Sequence, residues 1–372
     1  MKSIRILGTR GIPAKHGGFE TFAEALSFYL VTKDWQVTVY CQQDGGNVVS
    51  EEIWRNIRLV HIPVKTLGPL GTIIFDWKST LHASKENGIV LTLGYNTAMF
   101  GLIYRLRGIV NLINMDGIEW HRQKWTPMQK AWLYLNERCA CWFGNHLVAD
   151  HPEIKAHHSK HVPPNKITMI PYGANFIVHA DAASLASFRL APSQYAIIIA
   201  RAEPENSILE VVEAFSSKHR GIFLVVLGLY EPEKNAYHRK VMDAAGNEVR
   251  FLGPIYDKPT VNALRYHARL YIHGHTVGGT NPSLVEALGA SLPVLAHDNK
   301  YNRWVTGGGG RFFLSADECA QQLDNILNDD AILAQMKMQS TKRFHDEFEW
   351  PNILKQYDSL LEIWSTVASH KC

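Results

Sequence analysis

Short, unbroken apolar runs rich in β-branched residues recur along this chain at helix-length intervals, and that rhythm leaves few folds open. Residues 4–7, 37–40, 58–62, 89–93, 110–113 and 146–149 make a first series, separated by stretches such as the amphipathic segment 20–30. A strand with one wet face alternates apolar and polar residues. A continuous apolar strand is covered on both faces, as in a parallel sheet wrapped by helices. The rhythm breaks over 175–194, read as a linker, and restarts with 195–200, 222–227, 249–252, 270–272 and 293–296. The expectation is an α/β protein of two doubly wound units, with a cleft between the carboxyl ends of their strands. Length agrees, because 372 residues exceed one ordinary core and suit two. Helices follow from 316 onward. Glu349-Trp350-Pro351 marks a break before a last amphipathic helix carrying Ile353, Tyr357, Leu360, Leu361 and Trp364.

Composition narrows the class. Hydrophobic residues make up 46% and charged residues 20%, as in water-soluble globular proteins. No run approaches the roughly 18–20 apolar residues of a membrane span. The chain enters its first strand without the profile of a signal peptide, and its five cysteines are scattered, so a cytoplasmic location is expected. Net charge is +3, yet residues 1–180 hold 19 Lys and Arg against 13 Asp and Glu. A basic half suits an anionic membrane surface or a phosphorylated acceptor. Without a helix-turn-helix, zinc-finger or aromatic RNA-binding signature it does not suit nucleic acid.

The stretch richest in chemistry is Gly278-Gly279-Thr280-Asn281-Pro282-Ser283-Leu284-Val285-Glu286. Asn281 or Ser283 can cap the helix that follows, and Pro282 suits its first turn. The amides of Thr280, Asn281 and Ser283, free at the positive end of the helix dipole, would make an anion site. Gly278 and Gly279 would let a bulky anion approach the backbone. Glu286 would repel a phosphate and is better suited to accept hydroxyl hydrogen bonds. Phosphate beside polyol points to a nucleotide or a nucleotide-sugar.

Other loops carry further candidates. Residues 8–20, from Gly8-Thr9-Arg10-Gly11 to Gly17-Gly18-Phe19-Glu20, lie between a strand and a helix. They match neither the dinucleotide fingerprint nor the Walker spacing, and Gly17 and Gly18 suit a flexible loop at a helix start or a tight strand-to-helix turn. Arg201 falls just past the first strand of the second series. There it can reach a diphosphate held near Pro282, or pair with Glu203 or Glu205. Asp116 and Glu119 follow the strand ending at 113, where carboxylates bind sugar hydroxyls or accept a proton; Glu119 equally suits a helix start. Trp120, Trp125, Trp132 and Trp142 interleave with Arg122, Lys124, Lys130 and Arg138. That fits a membrane interface or a lipid-diphosphate acceptor, and equally a buried helix with a polar outer face. His157-His158-Ser159-Lys160-His161 has no carboxylate or cysteine at fixed spacing and reads as a surface loop, so no metal site is expected. Of His273 and His275, the latter lies nearer the phosphate turn and is expected to face the cleft.

Gly17-Gly18-Phe19-Glu20, Ile170-Pro171-Tyr172-Gly173, Arg201, Phe251-Leu252-Gly253 and residues 286–294 resemble the landmarks of family 4 glycosyltransferases of the GT-B fold, over nearly the whole chain. Gly8-Thr9-Arg10-Gly11-Ile12-Pro13, Leu93-Gly94-Tyr95-Asn96-Thr97, Met115-Asp116-Gly117-Ile118-Glu119-Trp120 and Gly278-Gly279-Thr280-Asn281-Pro282-Ser283 are most similar to a bacterial polysaccharide subgroup that includes β-1,4-rhamnosyltransferases. The resemblance implies two Rossmann-like domains facing a cleft. Residues 1–174 would take the acceptor, 175–349 the donor, and the helix 350–372 would cross back to the first domain. It implies Glu286 on the ribose hydroxyls, and Arg201 with the backbone of Asn281, Pro282 and Ser283 on the diphosphate. Gly279, Thr280 and His275 would join that donor site. Gly17 and Gly18 would lie beside the phosphates, and Gly253 and Pro254 near the base. Tyr95, Asn96, Glu119 and Trp120 would meet the acceptor, and Asp116 would position sugar or acceptor.

Three positions depart from the pattern. The first glutamate of the family's Glu-x7-Glu falls on Gly278, the lysine five residues after the arginine falls on Asn206, and a His-Asp pair is Met115-Asp116. One carboxylate fewer suits a deoxysugar donor, and equally an inactive relative. The reaction implied is transfer, with retention, of a sugar such as L-rhamnose from dTDP-rhamnose to a bacterial cell-surface polysaccharide acceptor on a polyprenyl diphosphate. The enzyme would work at the inner face of the plasma membrane. No metal cofactor is implied, since Arg201 and the helix N-terminus would stabilise the leaving diphosphate. The rivals are a nucleotide-sugar epimerase or hydrolase of the same fold, which needs no acceptor, and a non-catalytic subunit of a polysaccharide assembly complex.

Overall fold

The computed structural model describes residues 2–15, 17–66 and 68–369. The chain divides into two compact units. Unit 1 is the chain up to Pro171 together with the segment from Trp350, and unit 2 is Tyr172–Glu349.

Unit 1 runs β1 (Ser3–Leu7), α1 (Gly17–Val31), β2 (Gln36–Asp44), β3 (Ser50–Trp54), β4 (Ile57–Val64), α2 (Gly68–Ala83), β5 (Ile89–Leu93), α3 (Gly101–Leu106), β6 (Val110–Asn114), α4 (Pro127–Phe143), β7 (His146–Ala149), α5 (Pro152–His158) and β8 (Ile167–Met169). The sheet order is β3-β4-β2-β1-β5-β6-β7-β8, parallel except where β3 meets β4. Ile4, Ile6, Val39, Leu91 and Leu112 are all enclosed. Both faces of the sheet are covered, which is why its strands read as continuous apolar runs. Two strands of this unit that the sequence did not announce differ from this rule. β3 is an antiparallel edge strand with mostly exposed side chains, and β8 is only three residues long. Chain order reverses between β1 and β5, which opens a crevice at their carboxyl ends.

Unit 2 runs β9 (Tyr195–Ile199), α6 (Ile208–Ser216), β10 (Phe223–Leu227), α7 (Ala236–Asp243), β11 (Val249–Gly253), α8 (Lys258–Tyr266), β12 (Leu270–His273), α9 (Pro282–Gly289), β13 (Val294–His297), α10 (Lys300–Thr306), β14 (Gly310–Phe313), α11 (Ala316–Leu327) and α12 (Asp330–Glu347). Its sheet is wholly parallel, in the order β11-β10-β9-β12-β13-β14. Tyr195 and Ile197 pack with Leu284 and Leu288 of α9, while Ala196 and Ile198 pack with Val211 and Phe215 of α6. Successive residues of one strand thus feed two cores. The stretch 175–194, expected as a linker, is part of this unit. Leu185 and Leu190 are buried in its core, Ile177 donates its amide to Gly289, and Asp181 caps a 3-10 turn over Ala182–Phe188.

The last helix, α13 (Trp350–Ser369), belongs to unit 1. Ile353, Leu354, Tyr357, Leu360 and Leu361 form its buried stripe at helical spacing. Phe22 of α1 packs on Tyr357 with ring centroids 4.7 Å apart, and Trp35 Nε1 donates to Asp358 at 3.1 Å. Among the described residues no helix is long and apolar enough to cross a membrane.

Candidate functional site

In unit 2 the reversal of strand order sets the loop after β9 beside the loop after β12. The two are joined by hydrogen bonds. The amide and hydroxyl of Thr276 donate to the Glu205 carbonyl at 2.9 and 3.0 Å. Gly274 comes so close that a Cβ there would stand 2.1 Å from the Asn206 carbonyl oxygen. Asn206 is buried and donates Nδ2 to the Arg201 carbonyl at 2.8 Å, which fixes the backbone from which Arg201 projects. Arg201 is exposed, and among the described residues its guanidinium has no partner, neither Glu203 nor Glu205.

Asn281 is the cap of α9: its Oδ1 accepts from the Ser283 amide at 3.0 Å, with Pro282 as the first helical residue. Ser283 departs from expectation. Its amide is claimed by that cap. Its hydroxyl donates to Asn281 Oδ1 and accepts from the Tyr271 hydroxyl, both at 3.0 Å. A side chain that caps a helix takes an amide an anion would otherwise meet. Unclaimed among the described residues are the amides of Gly278, Gly279 and Asn281, while Thr280 is buried. Glu286, on the second turn, is ion-paired with the buried Arg265 of α8. Gly253 ends the edge strand β11 with φ +74°, and Pro254 beside it is exposed. His273 is fully enclosed, and burial together with His275 and His297 holds its imidazole well below the usual range. His275 is partly exposed and stacks on His273 at 4.2 Å. Unpaired amides, an exposed guanidinium and a fixed carboxylate can together hold an anion and a set of hydroxyls.

In unit 1 the loop after β1 is fastened down. Glu20 accepts from the Arg10 amide at 3.3 Å, Glu24 from the Ala14 amide at 2.6 Å, and the Thr9 hydroxyl from the Gly11 amide at 3.4 Å. The flexible glycine loop expected there is therefore tied to α1. Gly17 opens that helix at φ +76°, followed by Gly18, and His16 lies outside the described residues.

After β6, Asn114 donates Nδ2 to the Tyr357 hydroxyl at 2.9 Å and accepts from the Asp116 amide at 3.0 Å. Asp116 is partly exposed and held at φ +50°, a conformation uncommon away from glycine. The acceptor-side residues are mostly committed elsewhere. Tyr95 is 0% exposed and its hydroxyl accepts from the Glu119 amide at 2.7 Å. Glu119 is buried and pairs with Arg122 at 2.8 Å. Both help to build the loop, Tyr95 wholly enclosed and Glu119 with little of its side chain exposed. Trp120 donates Nε1 to Glu137 at 2.8 Å. The side chain of Asn96 is exposed, and its carbonyl accepts from Trp132 Nε1 at 2.9 Å. α4, opened by a Thr126–Gln129 capping box, buries Leu133, Glu137 and Ala140 and exposes Met128, Tyr134, Leu135 and Trp142. The histidine cluster is no free surface loop either, because His158 is enclosed and His157 Nε2 lies 3.1 Å from Glu137 Oε1.

Comparison with known proteins completes the picture. The family model described as Domain of unknown function (DUF1972) matches residues 1–175, and Glycosyl transferases group 1 matches residues 187–343. The protein is a glycosyltransferase. Among solved structures the transferase is similar to sucrose-phosphate synthase from Thermosynechococcus elongatus. Identity is 18%, coverage 99% of this chain and 100% of that one, and the TM-score 0.79. It is also similar to HepE of Anabaena, solved with UDP and glucose (14% identity, 97% and 99% coverage, TM-score 0.73). An alpha,alpha-trehalose 6-phosphate synthase from Burkholderia multivorans gives 9% identity, 100% and 98% coverage and a TM-score of 0.73. The fold is GT-B, with two parallel-sheet, Rossmann-like domains. Curated protein sequences gave no match.

Two residues that sequence reasoning passed over lie on helices of the transferase and reach its candidate loops and site carboxylate. Arg265 fixes Glu286 from a helix 21 residues upstream, at no periodic spacing that a sequence would show. Asp76 of α2 accepts from the Thr97 hydroxyl at 2.8 Å, in the loop after β5, and burial pushes its carboxyl up to about 7. A lone Asp on an apolar helix gave no signal of it.

Proposed function

We propose that this transferase moves a sugar from a nucleoside diphosphate donor to a glycan acceptor, with the loop between β12 and α9 as its diphosphate site. The observation that carries this is the set of three unclaimed amides before α9, in the loop sewn to the one bearing the unpaired Arg201. HepE was solved with UDP and glucose, and a trehalose-6-phosphate protein from E. coli with UDP-2-fluoro glucose. Both support a nucleoside diphosphate. Arg201 and the helix N-terminus stabilise the leaving diphosphate as its charge develops, so transfer needs no metal cofactor. Glu286, steadied by Arg265, accepts from the ribose hydroxyls, and the base lies by Gly253 and Pro254.

The donor sugar in this reading is L-rhamnose from dTDP-rhamnose. Gly278 supports it, since the resemblance places a sugar-binding carboxylate there and a 6-deoxysugar has one hydroxyl fewer to hold. Transfer proceeds with retention. The departing phosphate oxygen takes the acceptor hydroxyl's proton as the new glycosidic bond forms on the same face, and Asp116 positions the acceptor. The acceptor is a lipid-linked bacterial glycan at the inner membrane face. Leu102, Leu106, Leu135 and Trp142 support this as exposed apolar side chains on α3 and α4, together with exposed Arg105.

Donor screening by calorimetry and turnover, with dTDP-rhamnose beside UDP-hexoses, tests the reading. Arg201→Ala is expected to lower turnover about 100-fold or more, and added Mg2+ to leave it unchanged. Unaltered turnover in Arg201→Ala would refute the assignment.

A further inference from the structure

We propose that unit 1 holds a structural divalent metal, zinc by preference, bound by Glu137, His157 and His158. Glu137 of α4 is 0% exposed, and so is His158 at the end of α5. One ligating atom from each of the three residues lies within 4.8 Å of the others. The Glu137 carboxylate accepts from Trp120 Nε1 at 2.8 Å, Arg138 Nη2 at 2.7 Å and His157 Nε2 at 3.1 Å, so its own bonding is complete.

His158 is the anomaly. Neither of its ring nitrogens has a hydrogen-bond partner, although the ring is shut away from water. Buried polar atoms are rarely left so, and here, unlike at the equally enclosed His273, a second imidazole and a carboxylate lie within reach, so an ion can take the lone pair of one His158 nitrogen. Two imidazoles and one carboxylate form a donor set that zinc takes, with one position left over. His161 is exposed, with its ring centroid 5.9 Å from that of His157, and marks the side from which an ion enters. On binding, His157 Nε2 gives up its hydrogen bond to Glu137 and offers its lone pair to the ion, while the ring's proton resides on Nδ1. Glu137 offers the metal a lone pair of Oε1, the oxygen that also takes Arg138, and keeps Trp120 on Oε2. The ion would then tie α4 to α5 beneath Trp120, at the end of the loop that carries Asp116. No spacing in the sequence shows this set, because its carboxylate comes from another helix.

The test uses full-length, tag-free protein freed of metal by a chelator, titrated with zinc chloride by calorimetry and with Co2+ followed by visible absorption. One equivalent of zinc is expected, with the visible bands of four-coordinate Co2+. His158→Gln should weaken zinc binding roughly 100-fold or more and Glu137→Gln at least about tenfold, with His61→Gln unchanged as a control histidine beside Glu52. If far-UV circular dichroism shows His158→Gln unfolded, the part-exposed His157→Gln carries the same expectation. Absence of stoichiometric zinc binding in the native protein, or binding that survives both histidine substitutions, overturns the proposal.

Discussion

Gly278 sits at φ +134° with open space where a Cβ would be. Space is therefore no obstacle to a side chain at this position, but the backbone is, since L residues rarely adopt such an angle. The missing glutamate and the loop's path are one feature. Gly278→Glu is expected to cost about 1–3 kcal/mol through strain and to bring no new use of hexose donors. Thermal denaturation and donor kinetics measure both, and a stable variant that gains a UDP-hexose would contradict this. Asp76 offers a pH test. Its carboxyl is raised from 3.8 to about 7 by burial, so the folded state favours the protonated form. Its stabilising contribution is fully present below about pH 4 and is lost as pH rises through 7. Asp76→Asn should flatten that part of the stability profile between pH 4 and 7, read from urea midpoints. A profile as steep as the native one would show that another group titrates there.

At the level of elements, α13 does more than cover a sheet. Its Tyr357 hydroxyl holds Asn114, and Asn114 in turn holds the amide of Asp116. Tyr357→Phe leaves a buried Asn114 amide without its acceptor, at a cost of about 1–3 kcal/mol. Turnover should fall while the Kd for the nucleoside diphosphate stays the same, because the donor loops belong to unit 2. Equal losses in both would place the effect elsewhere. This chain of contacts shows where sequence reading stops. β1, β5, β9 and β12 were legible because burial on both faces writes a continuous apolar run. β3 was hidden by Glu51 and Glu52 facing solvent, and the stretch 175–194 lacked any period although Leu185 is buried. The sequence left Asn281 and Ser283 as equal caps, and only the backbone decided for Asn281. Arg265 with Glu286, and Glu137 with His157, are pairs brought together by packing between helices, and no local spacing announces them.

For the whole molecule, the exposed apolar side chains of α3 and α4 beside Arg105 predict a preference for anionic bilayers. Co-sedimentation with vesicles containing phosphatidylglycerol should exceed that with phosphatidylcholine alone, and should drop in Leu106→Ser with Trp142→Ser. Equal recovery on both vesicles would remove the membrane from the picture. The division of the chain has a different consequence. Ala174 donates its amide to the Phe348 carbonyl at 2.9 Å and bridges to Glu349, so unit 2 begins and ends at one point. The eight-stranded and six-stranded sheets share no strand. Unit 2 is in effect a guest spliced into a host at a single seam, after which the host resumes with α13. A donor cassette of other specificity could be exchanged at that seam, between residues 171 and 350, without reopening the sheet that carries Asp116.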